Sequence, residues 1–236
     1  KGDSWSMSKI LISGYYGFAN AGDEAMLTAI IESLRQVEEN VELTVLSGNP
    51  EDTAAKHQVR SVYRFNPWAV IQAMYASELI LSGGGSLLQD VTSKRSLLYY
   101  LSIIGLGKFF GKKVMLFAQG IGPIRAKWAR KLTSFVCNKA DLITVRDRES
   151  ASELKEMGVA AAKITVTADS VLSLKPVTGE GGRTLLQKAG VDLTKPVIGI
   201  SVRPWAGDAR CFQVLAEAAS KLQQRYGAQL ILLPLQ

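Results

Sequence analysis

The chain has 236 residues, 28 Lys and Arg against 21 Asp and Glu for a net charge of +7, and 47% hydrophobic residues. At roughly 150 residues per domain this is one large domain or one and a half, which excludes a disordered chain or a disulfide mini-protein. No apolar run reaches the roughly 18 residues that span a bilayer and no signal-peptide pattern opens the chain. With Cys137 and Cys211 outside any Cys-x-x-Cys spacing, a cytoplasmic protein with reduced thiols and no cysteine-built zinc site is expected. Residues 1–6 precede Met7 and read as an expression-vector remnant.

In chain order, KILISG (9–14) predicts a strand, and EAMLTAIIESLRQVEE (24–39) a helix. Between them GYYGFANAGDEA (14–25) combines glycines suited to tight turns, Gly17 among them, with the Asn20 amide. Asp23 and Glu24 stand where a helix N-terminus favours negative charge, and Asp23 reads equally as a substrate residue or as the helix cap. The segment is neither the G-x-G-x-x-G fingerprint nor a Walker A loop. ELTVLSG (42–48) predicts the next strand, and His57, the only histidine, reads as a surface residue in a polar stretch with no metal or catalytic partner.

A helix over 67–77 and a strand over 78–84 follow, running into SGGGSLLQD (82–90). Here Gly84 and Gly85 bring backbone N–H groups to a ligand, while Gln89 and Asp90 supply polar groups. LLYYLSIIGLG (97–107) is apolar on all sides and flanked by Lys94, Arg95, Lys108, Lys112 and Lys113; a buried helix is preferred to one lying at a membrane interface. The strand KVMLFAQG (113–120) ends in AQGIGP, where Gln119 leaves the strand and Gly120, Gly122 and Pro123 set a turn. After a helix over 126–140 and a strand over 142–147, VRDRES (145–150) places Arg146 and Arg148 where they would clamp a carboxylate or phosphate, or else pair with Asp147 and Glu149. A helix over 149–157 and the strand KITVTAD (163–169) bring in a further carboxylate, Asp169.

Alternating strands and helices, with strands that are continuous apolar runs, predict a Rossmann-like α/β domain with a parallel sheet over residues 7–174. A Pro- and Gly-rich linker is expected over 175–195. Residues 196–236 read as the start of a second Rossmann-like domain, giving an α/β, GT-B-like two-domain architecture whose second domain is incomplete. Ligands of such sheets bind beyond the carboxyl ends of the strands. The absence of HExxH and G-x-S-x-G motifs argues against zinc hydrolase and Ser-His-Asp chemistry. Residues 91–140 carry ten basic side chains and no Asp or Glu, which reads equally as a solvated basic face or as a face that meets an anionic partner; the partner would be phosphorylated substrate or anionic lipid, and not nucleic acid, since no nucleic-acid-binding motif accompanies the charge.

GYYGFANAGDEA, SGGGSLLQD, AQGIGP, VRDRES, TADSV (167–171) and ISVRPW (200–205), in this order and spacing, resemble the polysaccharide pyruvyl transferases. The resemblance is to the subgroup linked to S-layer anchoring through a secondary cell wall polysaccharide. Ala19 departs from the family's usual Gly. The resemblance implies transfer of a pyruvyl group from phosphoenolpyruvate, with no further cofactor and no metal, to a hexose of a lipid-linked glycan. That hexose would be N-acetylmannosamine, and the product a 4,6-ketal made at the inner face of the bacterial membrane. Arg203 and Arg148, with Arg146, become the anion clamps, Asp23 and Asn20 the acceptor-side residues, and the acid for the donor methylene stays unassigned. A nucleotide-sugar glycosyltransferase and a non-catalytic glycan- or lipid-binding module are the alternatives. The chain as it stands is expected not to turn over, and its open strand edge to favour a homo-oligomer.

Overall fold

The computed structural model describes residues 8–176, 179–202 and 209–233. Two compact units divide at Leu174/Lys175.

The first unit alternates strand and helix: β1 (Lys9–Tyr16), α1 (Ala21–Val37), β2 (Glu42–Ser47), α2 (Pro50–His57), β3 (Arg60–Tyr63), α3 (Pro67–Ala76), β4 (Leu79–Gly83), α4 (Lys94–Phe109), β5 (Lys113–Gln119), α5 (Lys127–Cys137), β6 (Leu142–Val145), α6 (Arg148–Glu156) and β7 (Ile164–Val166). The strands form one parallel sheet in the order β3-β2-β1-β4-β5-β6-β7. The chain leaves β1 in one direction and resumes at β4 in the other, so the topological switch point lies between these strands, where doubly wound sheets open a crevice for ligands.

Successive strand side chains point to opposite faces, and β1 uses both. Leu11 packs into a core shared with α3, α4, α5 and α6, whereas Ile10 and Ile12 pack with Leu27, Ile30 and Ile31 of α1. The sheet is thus covered on both sides, which is why its strands are apolar without alternation. Each fully buried Leu or Ile, such as Leu97 or Ile104, contributes about 1.5–3 kcal/mol. The run 97–107 is the heart of α4. It buries Leu97, Tyr100, Leu101, Ile103, Ile104 and Gly107, as expected of a core helix, yet its outward side stays in solvent. Gly107 permits this packing, because a Cβ there would stand 2.6 Å from Ile80 Cδ1.

The second unit holds α7 (Gly179–Lys188) and a parallel pair, β8 (Val197–Ile200) and β9 (Gln229–Leu232), joined through α8 (Ala209–Tyr226). The Gln229 amide ties the strand pair to the preceding loop, accepting from Asp192 N at 3.0 Å and donating to Asp192 O at 2.6 Å.

Candidate functional site at the strand carboxyl ends

Five loops converge at the carboxyl edge of the sheet in the first unit. The loop after β1 is held by its own side chains. Asn20 caps α1, its Oδ1 accepting from Gly22 N at 3.0 Å and Asp23 N at 3.1 Å. Gly17 N–H donates to Glu24 Oε1 at 2.8 Å. The reading of Asp23 as the cap is therefore corrected: Asn20 fills that place, and the Asn20 amide oxygen is committed to the helix rather than presented to a ligand. Asp23 lies beside the loop after β4, where a Cβ on Gly85 would stand 3.2 Å from its Oδ1. Beneath it Tyr16 donates to Gly83 O at 2.7 Å; burial and then the nearby Asp23 carboxylate push the Tyr16 phenol well above its ordinary pKa.

His57 corrects a second expectation. Its side chain is only 9% exposed, and its Nε2 lies 3.6 Å from Glu24 Oε2, an electrostatic contact too long for a hydrogen bond. The polar composition of α2 suggested a surface position, but the short helix folds its last residue inward against α1. Glu24 is thus a strut between two elements rather than a ligand group. The His57 imidazole and the Gly17 N–H hold its carboxyl below the ordinary glutamate range, against the opposing effect of burial. Its stabilisation is present above the unfolded value of about 4.3 and is lost as the pH falls through the lowered folded value. Glu24→Gln is therefore expected to melt lower than the parent at neutral pH, with the gap narrowing below about pH 4 in thermal melts across the acid range.

A second cluster spans β4 to β7. Arg146, just past β6, donates from Nη1 to Asp169 Oδ2 at 3.1 Å and from Nη2 to Ser86 Oγ at 3.0 Å, and its Nε lies 3.5 Å from Asp147 Oδ2. Gly120 makes room for it: a Cβ there would stand 2.8 Å from the guanidinium and 2.7 Å from Ser86 Oγ. Asp147 caps α6 through Ser150 N at 2.7 Å, and Asp169 caps a 3-10 turn over Ser170–Ser173 through Val171 N at 3.1 Å. Arg148 takes no part in this network. It is exposed on the first turn of α6, where the helix dipole adds to its attraction for an anion.

The remaining polar candidates act on the scaffold. Gln119 is fully buried, its Nε2 donating to Ser82 O at 3.0 Å and Ser82 Oγ at 2.8 Å, which clamps β5 to β4. Gln89 Oε1 accepts from Thr92 N at 2.9 Å. Asp90 accepts from Arg125 N at 2.9 Å and Ala126 N at 2.8 Å; against the raising effect of burial, these bonds hold its carboxyl below the ordinary range. Gly84 N–H is spent on Phe117 O at 3.2 Å and is not offered to a ligand, contrary to the sequence expectation. Arg203 lies outside the described residues.

Sequence reasoning missed the cation beside the switch point. Arg64, only 6% exposed, follows β3 and donates to Gly14 O at 2.9 Å and Tyr100 Oη at 3.2 Å. Its Cζ lies 4.3–5.4 Å from the ring centroids of Phe18, Phe65, Tyr99 and Tyr100. The rings take the place of water around a charge that forms no ion pair among the described residues. Tyr15, stacked on Phe18 at 4.4 Å, extends this into an exposed aromatic ledge with Tyr63 and Phe65. The signal was the alternation of aromatic and basic residues in YRF (63–65), which reads as a loop when β3 goes unseen. A cavity of 360 Å³ lies at the opposite end of β1, β2 and β3, lined by Lys9, Arg35, Glu42, Arg60 and others, and shares no residue with these clusters.

The sequence profile of polysaccharide pyruvyl transferases matches residues 20–236. The chain belongs to that family. No curated protein matches it. Solved structures similar to this pyruvyl transferase family member include Anabaena HepE in complex with UDP and glucose, at 12% identity and a TM-score of 0.55, covering 95% of this chain and 69% of that one. A putative UDP-N-acetylglucosamine 2-epimerase from Listeria monocytogenes is 14% identical with a TM-score of 0.60, covering 96% and 62%. The Neisseria meningitidis UDP-GlcNAc 2-epimerase bound to UDP-GlcNAc is 12% identical with a TM-score of 0.59, covering 95% and 66%. At these identities the likeness is one of fold, a Rossmann-like parallel α/β sheet of the kind found in GT-B glycosyltransferases and epimerases. The pyruvyl transferase chain thus spans about two thirds of the lengths of these neighbours.

Proposed function

We propose that the protein transfers the pyruvyl group of phosphoenolpyruvate to two hydroxyls of one hexose in a lipid-linked cell-wall polysaccharide precursor, forming a 4,6-ketal. The observation that carries this reading is that one sheet edge holds two arginines, one of them already ion-paired to Asp169 and Asp147, together with a separate carboxylate. Arg146 and the exposed Arg148 lie past β6, and Asp23 lies at the switch point. In the reaction the donor methylene gains a proton, two C–O bonds form at the enol carbon, and the bond from that carbon to the phosphate oxygen breaks. Of the two hydroxyl protons released, one balances the proton taken up by the methylene and the other leaves with phosphate. Arginine forks match the donor's carboxylate and phosphate and stabilise the departing anion, while Asp23 accepts a hydroxyl proton. The acid for the methylene has no assignment among the described residues. The aromatic ledge offers ring faces on which an acceptor pyranose would stack. N-acetylmannosamine as the acceptor sugar, and work at the inner membrane face in S-layer anchoring, belong to the same proposal.

The test is phosphate release from phosphoenolpyruvate that requires the lipid-linked acceptor, with the ketal identified by mass spectrometry. Release of a nucleoside diphosphate from a nucleotide sugar would replace the reading with glycosyl transfer, and glycan binding without turnover with a binding module. Within the assay Asp23→Asn is expected to leave the melting temperature nearly unchanged, since Asn20 carries the cap, and to lower turnover by about 100-fold or more. Equal activity would remove Asp23 from the chemistry.

A further inference from the structure

We infer that the outer surface of α4 and α5 is a docking face for an anionic lipid bilayer. Both helices connect neighbouring strands of the sheet and cover the same face, so they lie side by side. Their outward residues recur every three or four positions: Arg95, Leu98, Ser102, Leu106 and Phe109 on α4, and Trp128, Lys131 and Phe135 on α5, with Lys139 two residues past its end. Phe109 is 81% exposed and Phe135 62%, unusual for phenylalanine on a folded surface. At the foot of α4 the patch continues through Phe110 to Tyr75 of α3, ring centroids 4.5 Å apart, with Lys112 Nζ donating to Tyr75 O at 2.7 Å.

Charge selects the occupant. Lys139 Nζ sits 4.7 Å from the centre of the Phe135 ring, and Arg95, Lys127, Lys131 and Lys139 form no ion pair among the described residues. The nearby acids are already spent: Asp141 on Lys108 and Lys113, Glu153 and Glu156 on Arg130. Aromatic side chains interleaved with unpaired cations suit the headgroup region of an anionic leaflet, where ring and ammonium each find their own depth. No helix among the described residues is long and apolar enough to cross a membrane, so the contact is one of lying on the surface. Helices lying in the bilayer plane hold the strands parallel to it, and the strand carboxyl ends then open sideways along the headgroups. Resting on the proposed function, this places the site level with a sugar carried on a lipid diphosphate.

The experiment is co-sedimentation of the chain with phosphatidylglycerol-containing vesicles and with pure phosphatidylcholine vesicles, at low salt and at about 0.5 M salt. Binding is expected to the anionic vesicles, weakening with salt. Phe109→Ser with Phe135→Ser, and separately Lys131→Glu with Lys139→Glu, are each expected to weaken it about tenfold or more. Val37→Ser, at the exposed last residue of α1 on the opposite face, is the control expected to bind as the parent does. Circular dichroism verifies that each variant is folded. Absence of binding to anionic vesicles, or binding indifferent to both double variants, overturns the inference. So does a dimer in sedimentation velocity that the phenylalanine variants dissociate, or retention by single-stranded RNA, when vesicles stay unbound. Pyruvyl transfer to a water-soluble, prenyl-free acceptor tests the chemistry alone: its failure strikes the proposed function and leaves the vesicle result standing.

Discussion

Arg146→Ala is expected to raise the Michaelis constant for phosphoenolpyruvate and to lower turnover by about 100-fold or more, the loss typical of deleting one preorganised donor to a developing anion. The same change removes the bonds to Asp169 and Ser86 and so loosens the β4, β6 and β7 loops. Two further variants separate charge from shape. Arg146→Lys keeps the charge and loses the fork, and is expected to recover little of the donor affinity. Gly120→Ala keeps Arg146 itself but puts a methyl group 2.8 Å from the present guanidinium position, so the arginine must move. If all three variants lower the melting temperature while the donor constant of the folded enzyme stays at the parent value, Arg146 is a strap and not a clamp.

The largest stability effect is expected at Gly17. Its φ of +78° lies in the left-handed region, and a Cβ would stand 2.1 Å from Ser47 Oγ and 2.5 Å from Asn49 N. Neither neighbour yields easily, since Ser47 Oγ is bonded to Thr53 Oγ1 at 2.7 Å and to Asn49 N at 2.9 Å. Gly17→Ala should cost about 2–4 kcal/mol in urea unfolding, through overlap and backbone strain together. Gly105→Ala is the contrasting case: nothing lies within 4 Å of its Cβ position in α4, and a gain of about 0.5–1 kcal/mol is expected from lower unfolded-state entropy.

Five of the seven strands of the large sheet were legible in the sequence because burial on both faces leaves a largely apolar run, and the edge strand β7 was legible from its β-branched run ITV. β3 was not. RSVY is four residues long, sits at the sheet edge and is only half buried, so its pattern carries no period to read. Without β3, the octapeptide helix α2 before it also passes for loop, and His57 for a surface residue. The glycine-rich strand ends were legible as places where a ligand approaches. What each polar residue does there was not, because partners such as Ser86, Arg146 and Asp169 meet only through the register of four strands. The α1 cap stayed open in the sequence for a local reason: both Asn20 and Asp23 suit a helix start, and the first turn begins one residue after Asn20.

The loops after β4 and β5 are laced to each other along their length. Gly120 N–H reaches Gly85 O at 2.9 Å, Gly122 N–H reaches Leu88 O at 2.8 Å, Asp90 N–H reaches Pro123 O at 3.3 Å, and Leu88 and Ile121 pair as a bridge. Two segments joined in this way exchange their amide hydrogens as one unit and give up little motional freedom when an anion arrives. The entropy that flexible loops surrender on closing over a ligand has here been surrendered during folding, and a smaller unfavourable entropy is expected for an anion binding at this edge.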